Sequence, residues 1–531
     1  MRTPPPPPLL HALTFTLAAA FAPAVPLHAQ ARDLPRLLQE VTAEIEANRK
    51  LTQVMVDKIF SFAELGFQEV ETSRYLVDLL RKNGFEVQEG ISGIPTAWWA
   101  KWGSGEPVIA FGSDIDGIPK ASQKPGVAYR DPIVEGAPGH GEGHNSGQAV
   151  NVTAALAVKK IMERDRIPGT LILWPGVAEE LIGAKAWFVR DGWFRDVDAV
   201  FFTHVGNNLS VSWGQASGTG LVSVEFEFTG ESAHSAGSPW RARSALDAVE
   251  LMNIGWNFQR EHLQPDQRSH YVISDGGDQP NVVPPKAAVW YYIRQIDYDD
   301  IKANFETAIR IAEGAAKMTN TEMTYRILGT AWPRHFNRPM AEAVHRHIEA
   351  VGMPEWSEAD QTLARAVQRE LGAQNPRGLT TRMDSSLSGP ARSSGGSDDI
   401  GDVSWVVPTV TLRFPSNIPG LPGHNWSSAI AMATPIAHKG ATAGAKVLAR
   451  TALEMFLTPK LVEESLTYFR DVQTRNVSYQ PFIDADDPPA IWLNAGIMSE
   501  FRSKLQPFYY DETRFDSYLE QLGIAYPTVR R

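Results

Sequence analysis

Val222-Ser223-Val224-Glu225-Phe226-Glu227-Phe228 alternates apolar and polar side chains without a break. That is the period of a strand with one buried and one wet face. Outward from it, residues 245–258 place apolar side chains at helical spacing, 270–274 and 288–293 read as strands, 301–316 as a helix, and 322–328 as a strand again. The order βαββαβ is the ferredoxin-like split unit, a compact domain in its own right.

On either side the grammar differs. Upstream, short apolar runs at 96–101, 108–112, 170–174 and 199–203 are interleaved with helical stretches at 149–162 and 184–190. Two helices are expected ahead of them, between 34 and about 80. Downstream, a buried-looking strand at 409–414 precedes a helix from about 428 to 456. Strands alternating with helices imply an α/β domain with a mainly parallel sheet covered on both faces. The reading is therefore a catalytic-type α/β domain in two parts, 32–217 and 333–457, with the ferredoxin-like unit inserted at 218–332 and an extension at 458–531.

The first 31 residues read as a signal peptide: Arg2, a proline run, an apolar stretch at 12–25, and small-residue cleavage sites ending at Ala29 or Ala31. An uncleaved membrane anchor is the other reading of the same stretch. Export to the periplasm or medium is expected, with no membrane association once processed, because no later stretch has the roughly 20 apolar residues of a spanning helix.

Composition narrows the chemistry. With 50 Lys+Arg against 61 Asp+Glu and no long basic run, a nucleic-acid partner is not expected. The 531 residues contain no cysteine, which removes disulfides, thiolate metal sites and cysteine nucleophiles. Any metal must be held by His, Asp or Glu. A serine-hydrolase elbow Gly-x-Ser-x-Gly and the Gly-Lys of a P-loop are both missing.

Gly139-His140-Gly141-Glu142-Gly143-His144-Asn145 stands just before a predicted helix, where glycines let side chains of His and Glu converge. Ala178-Glu179-Glu180 follows the strand at 170–174, and His204 closes the strand at 199–203. Strand C-terminal ends are where open α/β sheets gather their sites, and adjacent carboxylates allow one to bind a metal while the other handles protons. Taken singly, each has an ordinary reading as a polar loop, an exposed acidic pair or a structural histidine. Asp114, Asp116, the 139–145 loop, Glu179, Glu180 and His204 nevertheless all follow successive strands of one sheet. That coincidence favours one or two divalent ions with oxygen and nitrogen ligands, such as Zn²⁺ or Mn²⁺, and an activated water.

The chain resembles the aminoacylase and glutamate carboxypeptidase-type co-catalytic metallopeptidases, in their amidohydrolase branch. The resemblance rests on Phe62-Ala63-Glu64-Leu65-Gly66-Phe67, Asp114-Ile115-Asp116-Gly117-Ile118-Pro119, the 139–145 loop, Ala178-Glu179-Glu180, Thr203-His204, Asn281-Val282-Val283-Pro284, Gly401-Asp402-Val403-Ser404-Trp405 and Gly423-His424-Asn425. It spans about residues 34–456. It implies hydrolysis of the amide bond of N-acyl or N-aroyl amino acids, aminobenzoyl-glutamate-like compounds or dipeptides.

By resemblance, Glu142, His144, Glu180, His204 and His424 fall at metal-ligand positions and Glu179 at the general base, with Asp116 among the catalytic residues. His234 aligns with an oxyanion-stabilising histidine sometimes supplied by a partner subunit, and Asn281 and Arg294 with residues that hold a substrate carboxylate. The inserted domain would serve as lid and dimerisation unit, implying a homodimer or pairing with a related subunit. One departure stands out: the branch usually has Cys where this chain has Glu142. From another class, an exported solute- or metal-binding protein would share the two-domain form, and Glu179 separates the two readings, since binding needs no base beside a ligand.

Overall fold

The computed structural model describes residues 33–383, 386–393 and 395–530; the expected signal peptide, 1–31, lies outside the described residues. Twelve strands occur among them: β1 (Glu86–Glu89), β2 (Trp98–Ser104), β3 (Val108–Asp114), β4 (Gly169–Gly176), β5 (Ala199–Gly206), β6 (Gly214–Gln215), β7 (Gly220–Thr229), β8 (Arg268–Asp275), β9 (Lys286–Gln295), β10 (Glu322–Ala331), β11 (His335–Phe336) and β12 (Thr409–Pro415).

The larger sheet runs β1-β2-β4-β3-β5-β12. The four strands from β4 to β12 are mutually parallel, while β1 and β2 form an antiparallel edge. β4 is buried along its whole length and β1 is largely exposed, as a strand covered on both faces and an edge strand should be. Helices Gly147–Asp165 and Pro435–Leu457 pack together beside this sheet. The second is rich in Gly and Ala because it lies directly on β12. A Cβ at Gly440 would stand 2.1 Å from the Pro415 carbonyl oxygen, and one at Gly444 2.8 Å from Phe414.

β7, β8, β9 and β10 form a separate antiparallel sheet in the order β10-β7-β9-β8. Helices Ala245–Gln259 and Tyr298–Thr319 cover one face. Val222, Val224, Phe226 and Phe228 are fully buried against Trp256, Tyr291 and Ile301, so the alternation in β7 is the inward face of this core. The pair β6 and β11 ties the chain entering the insertion to the chain leaving it, Gln215 opposite His335. This is the α/β fold with a mainly parallel sheet and an inserted ferredoxin-like domain that the sequence predicts.

Two expectations change. Among the described residues three helices, not two, precede the first strand: Leu34–Ala47, Arg49–Phe62 and Val70–Lys82. Asn48 breaks the first pair by turning its side-chain amide onto the Glu44 carbonyl at 2.9 Å, and Ala63 ends the second helix at φ 51°. The helix expected at 428–456 is split into Trp426–Ala429 and Pro435–Leu457, with Thr434 as N-cap and Pro435 in the first turn.

The extension folds back over both parts of the molecule. Arg502 pairs with the buried Glu64, the Tyr479 hydroxyl donates to Asp402 Oδ1 at 2.6 Å, and the Phe482 ring packs tilted against Tyr298 of the inserted domain. No described helix is long and apolar enough to cross a membrane.

Candidate active site

The parallel strands deliver their C-terminal ends to one edge, and the chemistry-bearing loops follow from there. After β4, Ala178 and Ile182 both adopt the left-handed region, φ 52° and 55°, and pinch Glu179–Leu181 into a single turn. The Ala178 amide donates to the buried Glu69 carboxylate at 2.8 Å, which secures that turn from behind. In the 139–145 loop, Gly143 has φ +121° and its missing Cβ would meet Met432 Sδ at 2.4 Å. Only glycine fits there, and the tight passage carries Glu142 and His144 inward.

His144, buried, donates from Nδ1 to Asp116 Oδ1 at 3.2 Å. The other Asp116 oxygen accepts the Glu180 backbone amide at 3.0 Å. Asp116 therefore orients one histidine and one glutamate at once. Among the described residues His144 Nε2 is left buried without a hydrogen-bond partner, 3.5 Å from Glu142 Oε2 and 3.9 Å from Glu179 Oε2. His424, on an exposed loop at φ 40°, brings Nε2 to 3.0 Å from Glu142 Oε2 and 3.3 Å from Glu180 Oε2. His204 Nε2 lies 3.6 Å from Glu142 Oε1, and its Nδ1–H donates to the Val205 carbonyl at 2.8 Å, the tautomer that leaves Nε2 free to ligate.

An orphaned imidazole nitrogen and three carboxylates facing two more imidazoles form a donor set suited to divalent ions. Glu142, His144, Glu179 and Glu180 can present ligand atoms within 4.8 Å of one another, as can Asp114, His144 and His204. Burial, followed by the Asp114 and Asp398 carboxylates, pushes Glu179 well above the usual carboxylate range. Burial and then Glu142 do the same to Glu180. Burial, then the neighbouring Arg413, pulls His204 down to about 4 and keeps it neutral.

These groups line a cavity of about 410 Å³ shared with Tyr292, Arg294, Arg334, Ser397, Asp398 and Arg413. Of the ten site residues read from the sequence, Glu142, Glu179, Glu180, His204, His424 and Arg294 line it directly, with His144 and Asp116 beneath. His234 and Asn281 do not. Both are exposed, on paired loops of the inserted domain where Ser235 N donates to the Asn281 carbonyl at 3.0 Å. His140 turns away from the cluster: its Nε2–H bonds the Ile59 carbonyl at 3.1 Å, and burial drops its pKa to about 3.

Sequence reasoning missed the ionic floor of the site. Lys185, fully buried, sits 2.7 Å from Asp114 Oδ1 and pairs with Asp399, while Arg334 pairs with Asp398 at 3.4 Å. Lone cations in buried apolar contexts, Ala184-Lys185-Ala186-Trp187 and Leu412-Arg413-Phe414, were the available signal.

Fold and site together define a hydrolase of amide bonds built on a two-domain co-catalytic metallopeptidase plan. Residues 218–318 match the peptidase dimerisation domain of the M20 type, a stretch that takes in the βαββα part of the inserted unit and stops short of β10. The chain is 33% identical over 455 residues to the p-aminobenzoyl-glutamate hydrolase B subunit of Escherichia coli (strain K12), covering 79% of this chain and 92% of that one. It is 26% identical over 448 residues to the Xaa-Arg dipeptidase of Mus musculus, covering 83% and 94%. The solved aminobenzoyl-glutamate utilization protein from Klebsiella pneumoniae shares the fold, with TM-score 0.52, 18% identity, and 80% and 98% of the chains covered. The chain belongs to the M20 family of peptidases and amidohydrolases, alongside the aminobenzoyl-glutamate hydrolase B subunit.

Proposed function

We propose that the protein is a metal-dependent amidohydrolase that cleaves the amide bond of an N-acyl or N-aroyl amino acid, of the aminobenzoyl-glutamate kind, or of a dipeptide. The observation that carries this reading is the buried His144 Nε2, without a hydrogen-bond partner among the described residues, facing Glu142 and Glu179. Glu142, His144, Glu180, His204 and His424 would hold one or two divalent ions, Zn²⁺ or Mn²⁺. Bound there, such ions supply a Lewis acid for the scissile carbonyl and lower the pKa of a water.

Glu179, beside the cluster and in the cavity, takes the proton of the attacking water and returns it to the leaving nitrogen. Asp116 keeps His144 in the tautomer whose Nε2 points into the site. Arg294, half-buried on β9, holds the α-carboxylate, for which a guanidinium fork is matched. His234 and Asn281 are exposed and outside the cavity of their own chain, so in this reading they serve the site of a second copy as oxyanion donor and carboxylate ligand. The working form is then a homodimer, or a pair with a related subunit, with β8 as the joining edge. Export after removal of residues 1–31 completes the proposal.

Release of free amine from N-benzoyl-amino acids by the metal-loaded protein tests it. Activity should vanish with a chelator, return with Zn²⁺ or Mn²⁺, and fall by about 10²–10⁴ in Glu179→Gln with metal still bound. Near-normal turnover in that variant removes Glu179 from the role.

A further inference from the structure

The cavity holds three guanidiniums, and their charges are not balanced alike. Arg334 gives one nitrogen to Asp398 Oδ2 at 3.4 Å and another to the Ser217 carbonyl at 2.6 Å. Among the described residues Arg294 hydrogen-bonds only the Ser397 hydroxyl, at 2.9 Å, and its Nε is buried without a hydrogen-bond partner. Arg413 gives Nη1 to the Val205 carbonyl at 3.3 Å and touches His204 Nδ1 at 3.1 Å. Among the described residues, neither Arg294 nor Arg413 makes an ion pair with a carboxylate.

The fully buried Lys185, by contrast, is gripped by two carboxylates. A cation taken out of water without a counter-ion is costly. The cost is relieved when a ligand brings the anion. The α-carboxylate accounts for Arg294, but nothing yet accounts for Arg413. It comes from β12 of the large sheet, whereas Arg294 comes from β9 of the inserted domain. Of the carboxylates in the cavity, Asp398 is already paired with Arg334, and Glu142 and Glu179 are turned toward His144, His204 and His424.

We propose that Arg413 is a specificity residue for a second anionic group, so that the preferred substrate is a doubly acidic amide carrying another carboxylate besides the one held by Arg294. This rests on the amidohydrolase reading and narrows it. An amide with a cationic side chain would set like charges together in a poorly screened cavity and be rejected. The second carboxylate comes either from the side chain of the released amino acid or from the acyl group, and the same fork recognises both.

Two substrate pairs separate those sources: N-benzoyl-glutamate against N-benzoyl-glutamine, and N-succinyl-glycine against N-butyryl-glycine. In the metal-loaded wild type, kcat/KM for the dianion of at least one pair should exceed its neutral partner by about 10²-fold. Arg413→Gln should shrink that ratio, read within the one variant, to about threefold, and Arg413→Lys should restore part of it. Calorimetric titration of N-benzoyl-glutamate into metal-loaded Glu179→Gln protein, with and without Arg413→Gln, reads the same contact without turnover. If none of the four amides is hydrolysed, the amidohydrolase reading fails while the titration still decides Arg413. Equal rates within both pairs, or a uniform loss on all four amides with metal released in Arg413→Gln, overturns the proposal and leaves Arg413 a support for His204.

Discussion

Glu142 is the residue on which the proposed metal chemistry turns. Its two oxygens face different imidazoles, Oε2 toward His424 and His144 at 3.0 and 3.5 Å and Oε1 toward His204 at 3.6 Å. A carboxylate placed so can span two ions, and being hard it accepts Mn²⁺ and Zn²⁺ alike, whereas a thiolate there would favour zinc. The glycine at 143 brings the longer Glu arm into register with the histidines. Metal analysis of the purified protein should find about two divalent ions per chain, dropping sharply in Glu142→Ala because ligands act as a set. Unchanged stoichiometry in that variant would show that Glu142 does not bridge. The contrast with His140, two residues earlier, is instructive: the same residue type in the same loop is consumed by the Ile59 carbonyl, and only packing tells them apart.

At the scale of elements, the short helix Ile400–Ser404 shows how the extension is locked to the large domain. Asp402 is fully buried; it accepts the Trp332 amide at 3.0 Å and the Tyr479 hydroxyl at 2.6 Å. Burial raises its pKa to about 7 in spite of those bonds. For a carboxyl raised in the folded state, the sign is opposite to ordinary acid denaturation. Its contribution is fully present below the unfolded carboxylate pKa of about 4 and is lost as pH climbs through the folded value. Asp402→Asn keeps the acceptor for Trp332 and cannot ionise. Its melting temperature should therefore change less than that of the wild type between pH 4 and 7, and an equal decline in both proteins would contradict this.

The whole molecule presents its inserted domain outward. Among the described residues β8 pairs only with β9 and is one of the two edge strands of that sheet, and Val272, Ile273, Trp240 and Phe258 are exposed on the same domain. An apolar edge strand of this kind is a template for a second chain. The proposed exchange of His234 across a two-fold axis makes a quantitative prediction. Neither Glu179→Gln nor His234→Ala protein should be active alone, but after unfolding and corefolding in equal amounts, half the dimers carry one intact site. About a quarter of wild-type activity is expected for random pairing. Persistent inactivity of the mixture would mean that His234 does not act in a partner's site.

The periodicities that decide layer and strand order are local, so the alternation of β7, the βαββαβ order and the glycine-framed 139–145 loop were legible from residues alone. So were Glu142, His144, Glu179, Glu180 and His204, because parallel strands must deliver their ends to one edge. What the chain order could not reveal depends on distant segments meeting. The pairing of Lys185 with Asp114 and Asp399 joins positions 71 and 214 residues apart, and the lock between Asp402 and Tyr479 spans 77. The exposure of His234 and Asn281, away from the cavity that Arg294 of the same domain helps to line, is likewise a tertiary fact. Arg413 without a carboxylate partner is another, since whether a buried cation is paired depends on every neighbour that the fold places around it.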